Sequence, residues 1–271
     1  MKKILALMLA MMMIVCCFAA CADDNKGTAN ETTDPSDAEN KEEVLTTVVE
    51  GKLTMATNAY FPPYEYYEGD KIIGIDAEIA EKVAEKLGLE LEIKDMAFES
   101  IITAVTEGSV DMGLAGMTVT DERLESVDFS ISYASGVQSI IVKDGSAIKS
   151  VDDLYAEGAS YKVGVQLGTT GDIYCVGDFG ADRVTQYTTG NEAVSALIGG
   201  AVDCVIIDNE PAKAFVAANE GLVILDTSYA DEDYAACIAK ENDALLKAIN
   251  EAIYDLTEDG TIEAIIAKYI K

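Results

Sequence analysis

Apolar positions along this chain switch between two spacings, and the switches mark the elements. Leu53-Thr54-Met55-Ala56-Thr57 reads as a short buried strand, and Phe61-Pro62-Pro63-Tyr64 after it as a rigid loop, because prolines cannot continue a ladder. Ile79, Val83 and Leu87 then recur every four residues, which predicts a helix with Asp76 as its N-cap and Gly88 as its stop. A second helix around Ile101, Ile102 and Val105 runs through Gly108-Ser109-Val110-Asp111 into a strand from Met112 to Ala115. Near the end, Leu246, Ile249, Ile253 and Leu256 form one helical stripe, and Ile262, Ile265, Ile266 and Tyr269 another. Strands alternate with helices, so the expected fold is α/β with mainly parallel sheets.

An internal echo divides this pattern in two. The segment Glu-Gly-Ser-Val-Asp-Met-Gly-Leu-Ala-Gly at 107–116 aligns without a gap on Gly-Gly-Ala-Val-Asp-Cys-Val-Ile-Ile-Asp at 199–208. Lys52 to Asn58 likewise matches Lys162 to Gly168. In this register Gly116 pairs with Asp208, and Asn58 with Gly168-Thr169-Thr170, all just beyond strands that an open sheet would hold parallel, where such sheets bind ligands. Two similar lobes with four strand-end loops facing one cleft are therefore expected. The last two helices are assigned to the first lobe. The chain must then cross between lobes twice, near Ser132 to Gln138 and near Glu232 to Ala236, which makes a hinge.

Composition narrows the chemistry. The 271 residues carry 49 acidic against 19 basic side chains, a net charge of -30, which repels phosphate backbones and excludes nucleic acid as a natural partner. With no histidine and no tryptophan, His-dependent triads and His-ligated zinc are also excluded. Lys2 and Lys3 before an apolar run from Ile4 to Ala20 form an export signal, residues 1–20. Phe18-Ala19-Ala20-Cys21 resembles a bacterial lipobox, which makes Cys21 the lipidated N-terminus of the mature chain. Residues 21–50 are polar and acidic, and read as a disordered tether. Cys175, Cys204 and Cys237 have no CxxC spacing; Cys204 and Cys237 read as small buried hydrophobes, and the oxidation state of the three stays open.

Six ordered motifs then carry a resemblance. They are Ala56-Thr57-Asn58-Ala59-Tyr60-Phe61-Pro62-Pro63-Tyr64-Glu65-Tyr66; Gly74-Ile75-Asp76-Ala77-Glu78-Ile79-Ala80; Phe98 with the helix after it; Gly116-Met117-Thr118-Val119-Thr120-Asp121-Glu122-Arg123 with Val127-Asp128-Phe129-Ser130; Gly168-Thr169-Thr170-Gly171; and Asp259-Gly260-Thr261. Residues 51–271 resemble the bacterial extracellular solute-binding proteins, family 3, which deliver amino acids to ABC importers. The resemblance implies a two-lobed periplasmic-binding-protein-like (type II) fold, with lobe 1 from residues 51–133 plus 236–271 and lobe 2 from 134–235. It implies an L-amino acid as ligand, the transmembrane subunits of an ABC permease as partner, no cofactor and no catalysis. The monomeric protein is expected at the outer face of the cytoplasmic membrane, held by its N-terminal lipid.

The chemistry of a zwitterion fits those motifs. A carboxylate leaving water needs charge-assisted donors, and arginine presents a planar fork to both oxygens. Arg123 follows Thr120, a natural N-cap, and by resemblance binds the ligand carboxylate with the N–H groups of Thr118 and Thr170. On its own, Arg123 reads rather as an exposed arginine paired to a neighbouring acid such as Glu122 or Asp128, and the other motifs reverse that reading. The resemblance implies Asp208, the Gly116 carbonyl and the Thr118 hydroxyl as acceptors for the ammonium, and Phe61 and Phe98 as apolar walls. Asn58, Gln166 and Tyr64 are candidates for the ligand side chain. Because Asn58 stands where binders of basic amino acids often carry an acid, a polar uncharged ligand is favoured, with basic amino acids and cystine as alternatives. An enzyme of related fold, a dehydratase of cyclic carboxylates using Glu65 and Asp208, is the competing class.

Overall fold

The computed structural model describes residues 45–270. The expected leader, Cys21 and the tether as far as residue 44 lie outside the described residues. The last stretch assigned to the tether lies against the body of the protein, where Leu45 packs on the core and the Val48 N–H donates to Asp111 Oδ1 at 2.7 Å.

The first run of elements is β1 (Lys52–Thr57), β2 (Tyr60–Phe61), β3 (Glu65–Glu68), β4 (Lys71–Ile73), α1 (Ile75–Leu87), β5 (Glu90–Asp95), α2 (Ile101–Thr106), β6 (Met112–Gly113), α3 (Asp121–Leu124) and β7 (Val127–Phe129). The chain then passes to β8 (Ala134–Lys143), α4 (Asp152–Tyr155), β9 (Val163–Gln166), α5 (Thr170–Phe179), β10 (Val184–Tyr187), α6 (Gly190–Gly199), β11 (Cys204–Asp208), α7 (Asn209–Ala218), β12 (Leu222–Ile224) and β13 (Ala230–Tyr234). It returns to β14 (Cys237–Ala239) and ends in α8 (Asp243–Glu258) and α9 (Thr261–Tyr269).

These strands form two principal sheets, in the orders β5-β1-β6-β14-β7 and β10-β9-β11-β8-β12, with β13 also on β8 and a small sheet β2-β3-β4 beside the first. Both principal sheets are mixed rather than mainly parallel. Pairs joined through a helix, β1 with β5 and β6, and β9 with β10 and β11, are parallel. Strands at the crossings, β8 and β14, are reached without an intervening helix and enter antiparallel. The two crossings run side by side: the Tyr133 N–H donates to the Tyr234 carbonyl at 3.0 Å, and the Ser130 N–H to the Ala236 carbonyl at 2.9 Å.

Periodicity converts directly into packing. Ile79 and Val83 of α1 bury against Leu53 and Met55 of β1, and Ile249, Ile253 and Leu256 of α8 join the same core. Both α8 and α9 pack on α1, as expected of a cover for the first sheet. Cys175, Cys204 and Cys237 are all buried free thiols, and burial pushes those of Cys204 and Cys237 up to about 12.

The expected cap of α1 is a correction. Gly74, not Asp76, precedes the helix, and no side chain caps it. The Ile75 and Asp76 N–H groups donate instead to the carbonyls of Pro63 and Tyr64, at 3.1 and 2.9 Å. Asp76 is freed to point inward, where it accepts from the Gly116 N–H at 2.7 Å and the Tyr133 hydroxyl at 2.8 Å. The docked loop leaves no room at Gly74: its φ is +130°, and an added Cβ would lie 2.1 Å from the Tyr64 carbonyl oxygen. Gly74→Ala is therefore expected to lower stability by about 2–5 kcal/mol, from backbone strain and overpacking together. An unchanged denaturant midpoint would remove this account of the loop.

Candidate functional site

The ends of β1, β9 and β11 and the segment after β6 converge on one cavity. All nine ligand-binding candidates line it: Asn58, Phe61, Phe98, Gly116, Thr118, Arg123, Gln166, Thr170 and Asp208, joined by Glu65, Ala115 and Thr169. Tyr64 is not among the lining residues. It lies behind them, 2% exposed, with its ring edge-on to Tyr234 at 5.2 Å.

Arg123 sits where local rules put it. Thr120 caps α3, its hydroxyl accepting from the Arg123 N–H at 3.2 Å. The guanidinium is buried; Nη1 donates to the Thr118 carbonyl at 2.7 Å and Nη2 to the Gly168 carbonyl at 3.1 Å, while the Phe98 ring lies 5.4 Å away. Its hydrogen bonds thus go to carbonyls rather than to Glu122 or Asp128. Burial lowers the pKa of the guanidinium, and nearby Glu232 opposes the shift.

Two backbone donors are held out beside it. Thr118 bridges Tyr234, and the flanking bonds, from the Val119 N–H to the Asp233 carbonyl and the Ala235 N–H to the Met117 carbonyl, are both 3.0–3.1 Å. That register leaves Thr118's own N–H outside the ladder. Thr170 opens α5, whose cap Thr169 accepts from the Asp172 N–H, so the Thr170 N–H has no partner within the helix.

On the opposite sheet, Asp208 ends β11 beside a second carboxylate. Gln138 Nε2 donates to Asp208 Oδ2 at 2.7 Å and to Glu232 Oε2 at 2.9 Å, and the Tyr234 hydroxyl donates to Asp208 Oδ1. Burial first, and Glu232 second, hold the Asp208 carboxyl well above the usual carboxylate range. Gln138 and Glu232 are residues that sequence reasoning missed. They lie on β8 and β13, the crossing strands, and a lone polar residue inside a strand carries no sign of what it will face.

Gly116 has a reason beyond clearance for a ligand. Its φ is +52°, and a Cβ would lie 2.8 Å from the Phe61 ring, so glycine seats the apolar wall. Two side-chain hydrogen bonds reach across the cleft from the first sheet's side to the second's: Gln166 Nε2 to Asn58 Oδ1 at 2.9 Å, and the Arg123 bond to Gly168. Asn58 also donates to the Met96 carbonyl at 2.8 Å, so both ends of its amide are engaged within the protein.

The match to bacterial extracellular solute-binding proteins, family 3, covers residues 53–271. The chain belongs to this family. Among relatives of this solute-binding protein, the arginine-binding extracellular protein ArtP of Bacillus subtilis is 34% identical over 80% of this chain and 86% of its own length. The glutamine-binding protein GlnH of the same organism is 30% identical over 100% of this chain and 98% of its own. The structure of an ancestral arginine-binding protein bound to glutamine superposes with a TM-score of 0.76, at 37% identity, covering 82% of this chain and 99% of that one. The two-lobed type II binding-protein fold is thus the fold of this solute-binding protein.

Proposed function

We propose that this solute-binding protein captures an L-α-amino acid in the cleft and delivers it to the transmembrane subunits of an ABC importer. The observation that carries the reading is that Arg123, from the first sheet's side, and Asp208, from the second's, line the same cavity. The ligand carboxylate meets Arg123 and the N–H groups of Thr118 and Thr170. Its ammonium meets Asp208, the Gly116 carbonyl and the Thr118 hydroxyl, with Phe61 and Phe98 against the ligand body. A zwitterion touching both sides is worth more to the closed form than to the open one, so binding shifts the hinge toward closure. Charge-assisted hydrogen bonds of roughly 1.5–3 kcal/mol each, less ordering costs, suit a micromolar complex at about -8 kcal/mol.

Relatives named for arginine and glutamine support an α-amino acid head group without choosing the side chain. The amide of Asn58, engaged by Met96 and Gln166, acts in this reading as a latch between lobes rather than as a probe of the ligand. The moving units are residues 51–133 with 236–271, and 134–235. Removal of residues 1–20 and lipidation of Cys21 hold the monomer at the outer membrane face through the tether that precedes Leu45.

A thermal-shift screen against the twenty amino acids, ornithine and cystine tests the reading, because a ligand of the folded state alone raises the midpoint with the logarithm of its excess over Kd. A rise is expected with one amino acid or a small group. Silence for all, with a response to cyclic carboxylates, would replace the reading with the dehydratase.

A further inference from the structure

Glu232 has no contact with the ligand in the reading above, yet it is buried against the group that meets the ammonium. It is 5% exposed and Asp208 6%, and the two carboxyls lie side by side. One neutral nitrogen serves both: Gln138 Nε2 donates to Asp208 Oδ2 at 2.7 Å and to Glu232 Oε2 at 2.9 Å, while Glu232 Oε1 has no donor at all. Two carboxyls removed from water and joined by neutral donors do not both stay ionised, so a pair of this kind keeps one proton.

The pair also connects two spaces. Asp208 lines the ligand cavity, whereas Glu232 lines a separate groove that shares Thr118 with the cavity and is edged by the exposed Asp231 and Asp233. Glu232 comes from β13, a strand at the crossings, so the contact runs from the ammonium position to the hinge. Charged and titratable groups on the surrounding elements leave the proton in place. The cation facing the pair, Arg123 of α3, spends its guanidinium on the Thr118 and Gly168 carbonyls. Glu65 of β3 adds a further carboxyl near Asp208. Tyr64, Tyr174 of α5 and Tyr234 of β13 are held protonated, by burial first, and add no charge of their own.

Resting on the head-group reading above, we propose that Glu232 is a positioning residue which holds one proton jointly with Asp208 in the empty cleft, and that an arriving ligand ammonium displaces this proton through Glu232 to the groove. The ammonium keeps its own N–H bonds; what breaks is the O–H bond within the pair, and the proton passes to water. Asp208 is left as the carboxylate that pairs with the ammonium, and Glu232 as a second negative charge behind it. Burial first, and Glu232 second, hold the Asp208 carboxyl above the usual range in the empty protein. Binding must therefore remove a proton, so affinity rises with pH below that raised value and levels off above it. Without the Glu232 charge the proton is held less tightly, and both the release and the slope diminish.

The test is calorimetric titration of the intact chain with L-glutamine, L-arginine and L-cystine between about pH 5 and 7, where their α-ammonium groups stay charged. Repeating each titration in buffers of different ionisation enthalpy counts the protons released. The native chain is expected to release roughly half to one proton on binding, and its affinity to rise about three- to tenfold per pH unit. Glu232→Gln is expected to cut the release by at least about half, while Glu232→Asp, which keeps the charge, retains it more fully. A merely structural Glu232 would move affinity by the same factor at every pH. Binding without proton release by the native chain, or the same release from Glu232→Gln, would overturn the role of Glu232 and leave the head-group reading intact. No binding of any of the three would take the head-group reading down with it. Should Glu232→Gln fail to fold, a native affinity that is flat from about pH 5 to 7 overturns the proposal by itself.

Discussion

Arg123→Ala is expected to lower the affinity of the intact chain for its amino acid by about two to three and a half orders of magnitude. Removing one partner of a buried ion pair costs about 3–5 kcal/mol, because the charge left behind has lost both water and counter-ion, and each 1.4 kcal/mol is tenfold. The ligand carboxylate would keep only the N–H groups of Thr118 and Thr170. Arg123 also bridges the Thr118 and Gly168 carbonyls, so the unliganded protein should lose some stability too. Arg123→Lys separates the two effects. It keeps the charge and loses the fork, and should bind more weakly than the native chain but more tightly than the alanine variant. Isothermal titration reads both variants, and an alanine variant within threefold of the native affinity would take Arg123 out of the site.

Asp208→Asn comes next in size, at about 2–4 kcal/mol of lost binding, or roughly thirty- to a thousandfold. The Asp208 carboxylate accepts from Gln138 and Tyr234. An asparagine offers one acceptor where two donors point, and no charge for the ammonium. Stability should move the other way. Burial and Glu232 raise the Asp208 pKa, so the native state binds a proton more tightly than the unfolded chain does. The stabilisation from that bound proton is complete below the unfolded pKa and is lost as pH rises through the folded one. At neutral pH, Asp208→Asn should hold or raise the unfolding midpoint while affinity falls. The ligand's 2-hydroxy acid analogue, of the same size without the ammonium, gives the second readout. The native chain should strongly prefer the amino acid, and Asp208→Asn should nearly abolish the preference. Equal weakening of both ligands would reassign Asp208 to the support of the hinge.

Much of the frame was legible before any coordinates. A four-residue apolar spacing can be satisfied only by a helix with one buried face, so α1, α8 and α9 fall where the stripes place them, and Gly88 ends α1 in the left-handed conformation its position requires. The aligned segments 107–116 and 199–208 do become matching strands, β6 and β11, with Gly116 and Asp208 beyond or at their ends. Arg123 is legible from Thr120, because a capped first turn needs only residues adjacent in the chain.

Asp76 marks where local reading stops. Its cap role was a reasonable local inference, but the N-terminal N–H groups of α1 found carbonyls of the Pro63-Tyr64 loop, a partner chosen by how the loop docks. The antiparallel crossings belong to the same class, since strand direction at a crossing depends on which edge the chain reaches. Sequence by itself determined the periods, the stops, the repeat and the motif residues of the cleft, because each rests on neighbours within a few positions or on a linear pattern. Only the tertiary structure decided that Gln138 spans Asp208 and Glu232, that Asn58 is held by Gln166, and that Glu65 is left against Asp76 with no donor. Those facts depend on burial and, for Gln138 with Asp208 and Gln166 with Asn58, on partners 70 and 108 residues apart. The cost of an unpaired charge exists only once the fold has taken the water away.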